Sequence, residues 1–155
     1  MLEEIAAAWM SVGVGVSVHT MTSYALATFG SAEQRERLLP DMIGGEQLGA
    51  YALSEPQAGS DITSMTTRAV RDGDSYVLNG TKAWISHGPH ADFLTTFART
   101  SDDPKHGISA FHVPASVAGL SFGAPERKMG LTGSTTTLVN YDDVRIPAAN
   151  LIGAE

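Results

Sequence analysis

The stretch YALSEPQAGSD, Tyr51–Asp61, decides how this chain is interpreted, because an apolar run there passes through Pro and Gly into small polar residues. Tyr51–Ser54 can complete a β-strand, after which Pro56 stiffens a turn. Gly59 permits a positive φ or a close backbone approach, and the N–H groups around Ser60 could form an anion-binding nest. A capped surface turn without a ligand explains the same residues. From this stretch alone, the ligand-free turn is the simpler interpretation.

Two carboxylates lie in or at the end of this stretch, at Glu55 and Asp61. Asp61 is expected to cap a short helical turn over Ile62–Met65, because a side-chain oxygen at that position can accept a hydrogen bond from a free N–H. We expect both carboxylates to hold the turn in shape and to take no part in chemistry.

A second informative stretch is SYVLNGTKAWIS, Ser75–Ser86, in which two apolar-rich arms surround Asn79-Gly80. Asn-Gly tolerates the positive φ angles of a tight turn, so the pattern predicts a β-hairpin. In the second arm, a period of two places Lys82, Trp84 and Ser86 on one face. An aromatic ring two residues from a hydroxyl suits a flat ligand with polar edges. These residues alone favour the alternative, a Trp that covers a neighbouring element.

The organisation of the chain changes near residue 48. Helix-forming residues come first, and Gly13 and Gly15 are expected to loosen or end the first helix. A further helix is expected to begin at Ser31, with Gln34 as its capping-box partner, and to stop or kink before Pro40. This pattern predicts a helical segment over residues 1–47.

Strand patterns dominate after residue 48. Besides Ser75–Ser86, the candidates are DFLTTFART (92–100), GISAFHV (107–113) and TTTLVNYDDVRI (135–146). They are rich in β-branched and aromatic residues, with polar or Gly and Pro breaks between them. The chain is therefore predicted to be an α+β protein, in which residues 48–155 form an antiparallel β-barrel or sandwich.

Composition narrows the possible functions. With 155 residues, 43% of them hydrophobic, the chain is long enough for one domain with a real core. The net charge of −7 disfavours nucleic acid and anionic membranes as partners. Without cysteine there is no thiol nucleophile, no disulfide and no Cys-ligated metal, which is compatible with a cytoplasmic location.

Two local patterns are interpreted without a membrane span or a metal. Ile5–Phe29 lacks charged residues, but its Gly, Ser, Thr and His content indicates buried helix and no membrane insertion. His87 and His90 are expected in a solvated loop, so no metal site is predicted.

Four stretches together resemble the acyl-CoA dehydrogenase family of flavoproteins. They are ALSEPQAGSDITS (52–64), YVLNGTKAWIS (76–86), FGSAEQRERLLPDMIGGEQLGAY (29–51) and ERKMGLTGSTTTLVNYDDVRIPAANLIG (126–153). The first agrees with the family signature at each of its constrained positions. The resemblance implies the end of the family's N-terminal helical domain over 1–47 and its middle β domain over 48–155. The family's C-terminal helical bundle is not expected within these residues.

The resemblance also implies a site. In this family FAD lies against the β domain, and the matching cofactor-binding positions are Tyr51, Leu53, Ser54, Gly59, Ser60, Trp84, Ile85 and Ser86. Ser60 also matches a position that reaches the acyl-CoA. The Ser86 hydroxyl would hydrogen-bond near the hydride-accepting nitrogen of the flavin, which stabilises charge on the ring.

Three positions depart from the usual family pattern. Ser54 and Ser86 replace the more frequent Thr, which keeps the hydroxyl donor and loses a methyl group that restricts the rotamer. Thr132 stands where many relatives carry Arg, so any charge contact made there is lost. The family's catalytic base lies in the C-terminal bundle, so no catalytic residue is assigned within this chain.

The function implied by the resemblance is oxidation of an acyl-CoA to a trans-2-enoyl-CoA, with hydride transfer to FAD. The expected partners are the acyl-CoA and an electron acceptor such as an electron-transfer flavoprotein, and the full-length protein is expected to be a homo-oligomer. The chain alone is expected to be inactive. Two alternatives stay open: an acyl-CoA oxidase or related flavin monooxygenase on the same scaffold, and a non-catalytic β module for binding.

Overall fold

In the computed structural model, which describes every residue from Met1 to Glu155, three helices fill the first part of the chain. They are α1 (Leu2–Ala8), α2 (Met10–Phe29) and α3 (Ala32–Gly44). The break between α1 and α2 lies at Trp9, whose backbone is extended (φ −155°, ψ 102°). The prediction that Gly13 and Gly15 loosen or end the first helix is therefore wrong, because both lie inside α2. A Cβ added to Gly13 would stand 2.8 Å from the Cβ of Ala6, so this glycine lets α1 pack closely on α2.

Helix α3 begins at the predicted cap but does not end where it was expected to. The Ser31 hydroxyl accepts from the N–H of Gln34 at 3.1 Å, and the Gln34 side chain accepts from the N–H of Ser31 at 2.9 Å, which confirms the capping box. The predicted stop before Pro40 is wrong, because α3 continues through it. The last turn carries the fully buried Met42, and this packing outweighs the helical hydrogen bond that proline lacks.

Eight strands follow the helices and form one sheet. They are β1 (Gly49–Ala52), β2 (Arg68–Asp72), β3 (Ser75–Ser86), β4 (Phe93–Arg99), β5 (Ile108–Pro114), β6 (Leu120–Phe122), β7 (Thr136–Pro147) and β8 (Leu151–Ile152). Three short 3₁₀ turns lie at Ile62–Ser64, Gly88–His90 and Ala148–Asn150. Hydrogen-bonded neighbours run in the order β6-β7-β3-β2-β4-β5-β8, and β1 pairs with β4.

Most neighbouring strands in this sheet are antiparallel. The exceptions are β1, which runs parallel to β4, and a single parallel pair between β2 and β4. The order does not close into a ring, so the sandwich and not the barrel describes the sheet. The predicted α+β class, with helices first and a mostly antiparallel sheet after them, is confirmed.

The predicted hairpin at Asn79-Gly80 is wrong, because β3 passes through both residues without turning. The turn lies earlier, between β2 and β3, where Gly73 has φ 59° and Asp72 pairs with Ser75. Gly80 (φ 148°) instead lies where the pairing of β3 with β7 shifts its register, with one extra residue in β7. A Cβ there would stand 2.5 Å from Oγ1 of Thr67, so the backbones approach too closely for any side chain.

The main core consists of side chains from the strands. Its fourteen buried residues are Ala50, Ala52, Ala69, Tyr76, Leu78, Ile85, Leu94, Ala98, Phe111, Val113, Val139, Tyr141, Val144 and Ile146. A smaller cluster of Leu26, Met42, Phe93 and Ile152 joins the helices to the sheet. The helical segment is therefore packed on the sheet next to β1, the strand that leads into the sequence YALSEPQAGSD.

His19 on α2 helps to hold this joint. Its Nε2 lies 2.8 Å from the carbonyl of Met42, and its Nδ1 accepts from the N–H of Gly49 at 3.0 Å. One imidazole thus connects α2, the end of α3 and the start of β1. No helix in the structure combines the length and the apolar character needed to cross a bilayer.

A second histidine, His112 on β5, is buried without a polar partner for its Nδ1. Its ring stacks on Phe93, with centroids 5.0 Å apart. Burial lowers the pKa of His112 to about 4, and the positive charge of Arg37 acts in the same direction. The folded chain therefore holds this imidazole neutral over a range where an exposed imidazole is protonated.

This histidine predicts acid sensitivity. Between the ordinary pKa of 6.5 and the folded value of about 4, the unfolded chain binds more protons, so stability falls as the pH falls. From pH 7 to pH 5 the free energy of unfolding should drop by roughly 2 kcal/mol on account of His112. Urea unfolding at both pH values measures this drop. His112→Phe should reduce it and His106→Phe, at an exposed site, should not. An equal drop in His112→Phe would contradict the assignment.

Candidate functional site

The structure brings the two informative stretches together, as the turn segment (Leu53–Asp61) and the strand segment (Lys82–Ser86). The N–H of Ala83 donates to the carbonyl of Ser54 at 2.8 Å. The Lys82 ammonium donates to the carbonyl of Leu53 at 3.0 Å. Residues nearly thirty positions apart in sequence are therefore in direct contact.

Glu55 is the best-connected side chain of the turn segment. Its Oε1 accepts from Lys82 at 2.8 Å and from the N–H of Thr67 at 3.0 Å. Its Oε2 accepts from the N–H of Thr66 at 2.8 Å, from the Thr66 hydroxyl at 2.9 Å and from Gln57 at 2.6 Å. Burial alone would raise the pKa of Glu55, but these hydrogen bonds and the Lys82 charge lower it to about 2. Glu55 is an ionised structural anchor, in agreement with the sequence prediction.

The end of the turn segment is held by Asp61. Its Oδ1 accepts from the N–H of Thr63 at 3.1 Å and from the Thr63 hydroxyl at 2.5 Å, which confirms the predicted cap on Ile62–Ser64. Hydrogen bonds from Thr63 lower the pKa of this carboxyl. Gly59 and Ser60 are exposed, and a Cβ added to Gly59 would meet nothing within 4 Å. The tip of the turn is open to a ligand.

The strand segment does not alternate as the sequence suggested. A bulge interrupts its pairing with β7 between Lys82 and Ile85, and Trp84 takes a positive φ of 59°. Lys82 lies before this bulge, on the core face with Tyr76 and Leu78, and is fully buried, so the prediction that it shares a face with Trp84 is wrong. Trp84 is 57% exposed, which contradicts the alternative that it covers a neighbouring element of this chain. The positive φ is uncommon for a bulky residue, and it directs the ring away from the core.

The predicted positions differ in what they offer to a ligand. Ser54 and Ser86 are half-buried, and Trp84, two residues before Ser86, is exposed. Ile85 is only 2% exposed and belongs to the core, so its main chain alone is available. Leu53 is half-buried, and its carbonyl is occupied by Lys82.

Tyr51 occupies a different environment, on the helix side of the sheet. Its ring packs on Phe97, with centroids 5.1 Å apart, and burial raises the pKa of its hydroxyl. It borders a cavity of about 590 Å³ that is lined by Leu2, Ser17, Thr20, Met21, Tyr24, Ala25, Phe29, Tyr51, Phe97, Ala110 and Ile152. Nine of these eleven residues are hydrophobic, so the cavity suits an apolar group.

Two features of the site were not predicted from the sequence: the ion pair between Glu55 and Lys82, and the apolar cavity beside Tyr51. Lys82 is the only Asp, Glu, Lys or Arg between Asp74 and Asp92, and Glu55 stands equally alone between Glu46 and Asp61. Lone opposite charges in two apolar stretches could have suggested that they pair. The apolar cavity carried no comparable signal, because the residues of α2 that line it resemble an ordinary helix core.

The segment that carries Thr132 is exposed. Lys128 donates to the carbonyl of Ser134 and, at 3.1 Å, to the hydroxyl of Thr136, which ties the two ends of this loop together. No group of three or more His, Asp or Glu side chains is placed to hold a metal ion.

Comparison with known proteins identifies the family. Residues 1–46 match the family model for the acyl-CoA dehydrogenase N-terminal domain, and residues 50–144 match the model for the acyl-CoA dehydrogenase middle domain. The chain therefore belongs to the acyl-CoA dehydrogenase family. This confirms the resemblance found in the sequence.

Similar proteins agree with this assignment. An acyl-CoA dehydrogenase of Bacillus subtilis is 43% identical over 99% of this chain and 41% of its own length. Butyryl-CoA dehydrogenase of Megasphaera elsdenii has a solved structure with a TM-score of 0.96, at 35% identity over 99% of this chain and 41% of that chain. Glutaryl-CoA dehydrogenase of Mycobacterium smegmatis, solved in complex with FADH2, gives a TM-score of 0.91 at 35% identity over 99% and 39%. The chain thus spans about two fifths of the length of the relatives it matches.

The Asp61 cap predicts a local effect of mutation. Asp61→Ala removes the acceptor of the Thr63 N–H, so amide exchange over Ile62–Met65 should become several-fold faster. Hydrogen exchange followed by mass spectrometry measures this change. Asp142→Ala, at an exposed aspartate of β7, is the matched control and should leave that segment unchanged. Identical exchange in the two variants would show that the cap does not order the turn.

Proposed function

We propose that this chain is the end of the N-terminal helical domain (1–47) and the middle β domain (48–155) of a longer, FAD-dependent acyl-CoA dehydrogenase. The observation that carries the proposal is the contact between the turn and strand segments, in which the carbonyl of Ser54 accepts from the N–H of Ala83, the residue before the exposed Trp84. The family membership, and the fact that α3 ends at Gly44 and β1 begins at Gly49, support the division into two domains.

The residues present suit a flavin. A flat ring with polar edges needs an apolar surface and a few placed donors, and Trp84 and the two serine hydroxyls provide both. Ser54 and Ser86 would hydrogen-bond the heteroatoms of the ring, Ser86 near the hydride-accepting nitrogen. Leu53 and the main chain of Ile85 would complete the surroundings of the flavin, and Tyr51 would border it from the apolar cavity on the helix side. Gly59 and Ser60 would approach the pyrophosphate, where the open tip of the turn leaves room.

The reaction we propose is oxidation of an acyl-CoA to a trans-2-enoyl-CoA. FAD would accept the hydride from the β-carbon of the acyl group. Ser60 would also contact the acyl-CoA, and the apolar cavity beside Tyr51 would receive the acyl group, since its lining offers little to a polar substituent. The electron acceptor would be a protein such as an electron-transfer flavoprotein, and the whole enzyme would be a cytoplasmic homo-oligomer.

The carboxylates of the turn segment are poor candidates for the base that removes the α-proton. Both oxygens of Glu55 are occupied by donors, and lowering the pKa to about 2 makes it a weak base. Asp61 is engaged with Thr63. We therefore propose that the base is supplied by a segment outside these 155 residues.

The flavin contacts can be tested by substitution in the full-length protein. Trp84→Ala and Ser86→Ala each remove one contact to the ring, so each should weaken FAD binding about tenfold. Trp84→Phe and Ser86→Thr keep an aromatic ring and a hydroxyl, and they serve as matched controls. Flavin content and the dissociation constant from fluorescence titration give the readout. Unchanged affinity in both alanine variants would contradict the site.

An experiment on residues 1–155 alone tests whether FAD binding and catalysis need the rest of the enzyme. Since Trp84 is 57% exposed, residues 1–155 would cover the flavin ring on one side only. We therefore expect weak FAD binding and no acyl-CoA-dependent reduction of a dye acceptor. The full-length protein is the positive control. Robust turnover by residues 1–155 alone would overturn the assignment of the base to another segment.

Hydrogen peroxide production by the full-length protein in air would instead indicate an oxidase, and a full-length protein without flavin absorbance would indicate a binding module.

A further inference from the structure

The ion pair between Glu55 and Lys82 is buried to an unusual degree. Their side chains are 1% and 0% exposed, and the charged atoms lie 2.8 Å apart. Removing a carboxylate and an ammonium group from water is costly, and a pair of apolar residues could fill the same space at lower cost. The pair takes no part in the chemistry proposed above, so its burial calls for another explanation.

The pair lies where strand pairing does not set the geometry. Strand β1, which leads into the turn segment, pairs with β4 and not with β3. The distance between the turn and strand segments therefore depends on the hydrogen bond from Ala83 to Ser54 and on Lys82. Lys82 bridges the carbonyl of Leu53 and the carboxylate of Glu55, the two neighbours of Ser54.

The same pair also orders the surroundings of Trp84. Lys82 follows the alternation of Tyr76 and Leu78 onto the core face, and the bulge between Lys82 and Ile85 then turns Trp84 outward. The pair therefore anchors β3 immediately before the irregularity that exposes the aromatic ring.

We propose that Glu55 and Lys82 are positioning residues, which set the separation of Ser54 from Trp84 and Ser86 and so shape the surface that receives the flavin. This inference rests on the proposed function. It assigns to the pair no contact with the cofactor or the substrate. Its effect is transmitted through the carbonyl of Leu53 and the main chain around Ser54.

The experiment begins with Lys82→Met in the full-length protein, a substitution that keeps the length of the side chain and removes its donors. Without Lys82 the carbonyl of Leu53 is unpaired, so the amide of Ala83 should exchange at least about tenfold faster in the FAD-free protein. In the holoprotein, FAD should bind about tenfold more weakly, and its absorption bands should shift because the hydroxyls around the ring move.

A double variant separates positioning from stability. Glu55→Gln combined with Lys82→Met removes both charges, so it should recover part of the melting temperature lost by Lys82→Met, which leaves a buried carboxylate unpaired. The spectral shift and the weaker FAD binding should persist, because Leu53 still lacks its lysine donor. Recovery of the wild-type flavin spectrum together with stability would overturn the proposal.

Tyr141→Phe is the matched control for destabilisation. It deletes a buried hydrogen bond to Thr96, 2.8 Å long, in the same sheet, and Tyr141 takes no part in the hydrogen bonds of Glu55 and Lys82. It should lower the melting temperature without altering the flavin spectrum or the exchange of Ala83. If Lys82→Met changes these two readouts no more than Tyr141→Phe does, the pair is merely structural and the proposal fails. Failure of the wild type to bind FAD would overturn the proposed function, while the exchange of Ala83 in the apoprotein would still decide whether the pair sets the spacing.

Discussion

A carboxylate and an ammonium group can be withdrawn from water only if their protons and lone pairs find partners inside the protein. Glu55 and Lys82 meet this condition through the N–H groups of Thr66 and Thr67, the Gln57 amide and the carbonyl of Leu53. These contacts order the turn after β1, join it to β3 and leave no charge unpaired. The turn that carries Ser54 and the part of β3 that leads to Trp84 are both held by this network.

The helices contribute through a separate joint. His19 connects α2, the end of α3 and β1, and the cluster around Leu26 and Phe93 packs the same helices on the sheet. Between α2 and the sheet this packing leaves the apolar cavity that Tyr51 borders. The two faces of β1 consequently meet different surroundings, with alanines in the sheet core and Tyr51 toward the helices. One strand thus connects the polar surface beside Trp84 with the apolar space beneath α2.

The features that could be predicted from the sequence are those decided by neighbouring residues. The capping box of Ser31 and the Asp61 cap each depend on side chains within three positions, and both were predicted correctly. The errors have long-range causes. Asn79-Gly80 resembles a turn locally, but pairing with β7 extends β3 through it, and the glycine permits the close approach of Thr67. Pro40 stays helical because Met42 is packed, and Lys82 and Trp84 lie on different faces because a bulge separates them. The resemblance to the family, and not periodicity, indicated the site positions.

The parallel pairing of β1 with β4 has a consequence for the order in which the protein folds. Gly49 pairs with Phe93, so the two partners are separated by the intervening β2–β3 hairpin and the whole of the turn segment. Closing a loop of this length costs conformational entropy before the contacts between β1 and β4 can offset it. The entropy cost is smaller for β2 and β3, which meet across a tight turn. We therefore expect β2 and β3 to form early and β1 to join late. Until β1 pairs with β4, the ammonium group of Lys82 would stay hydrated and separate from the carboxylate of Glu55. The surface beside Trp84 would therefore be among the last parts of the sheet to form.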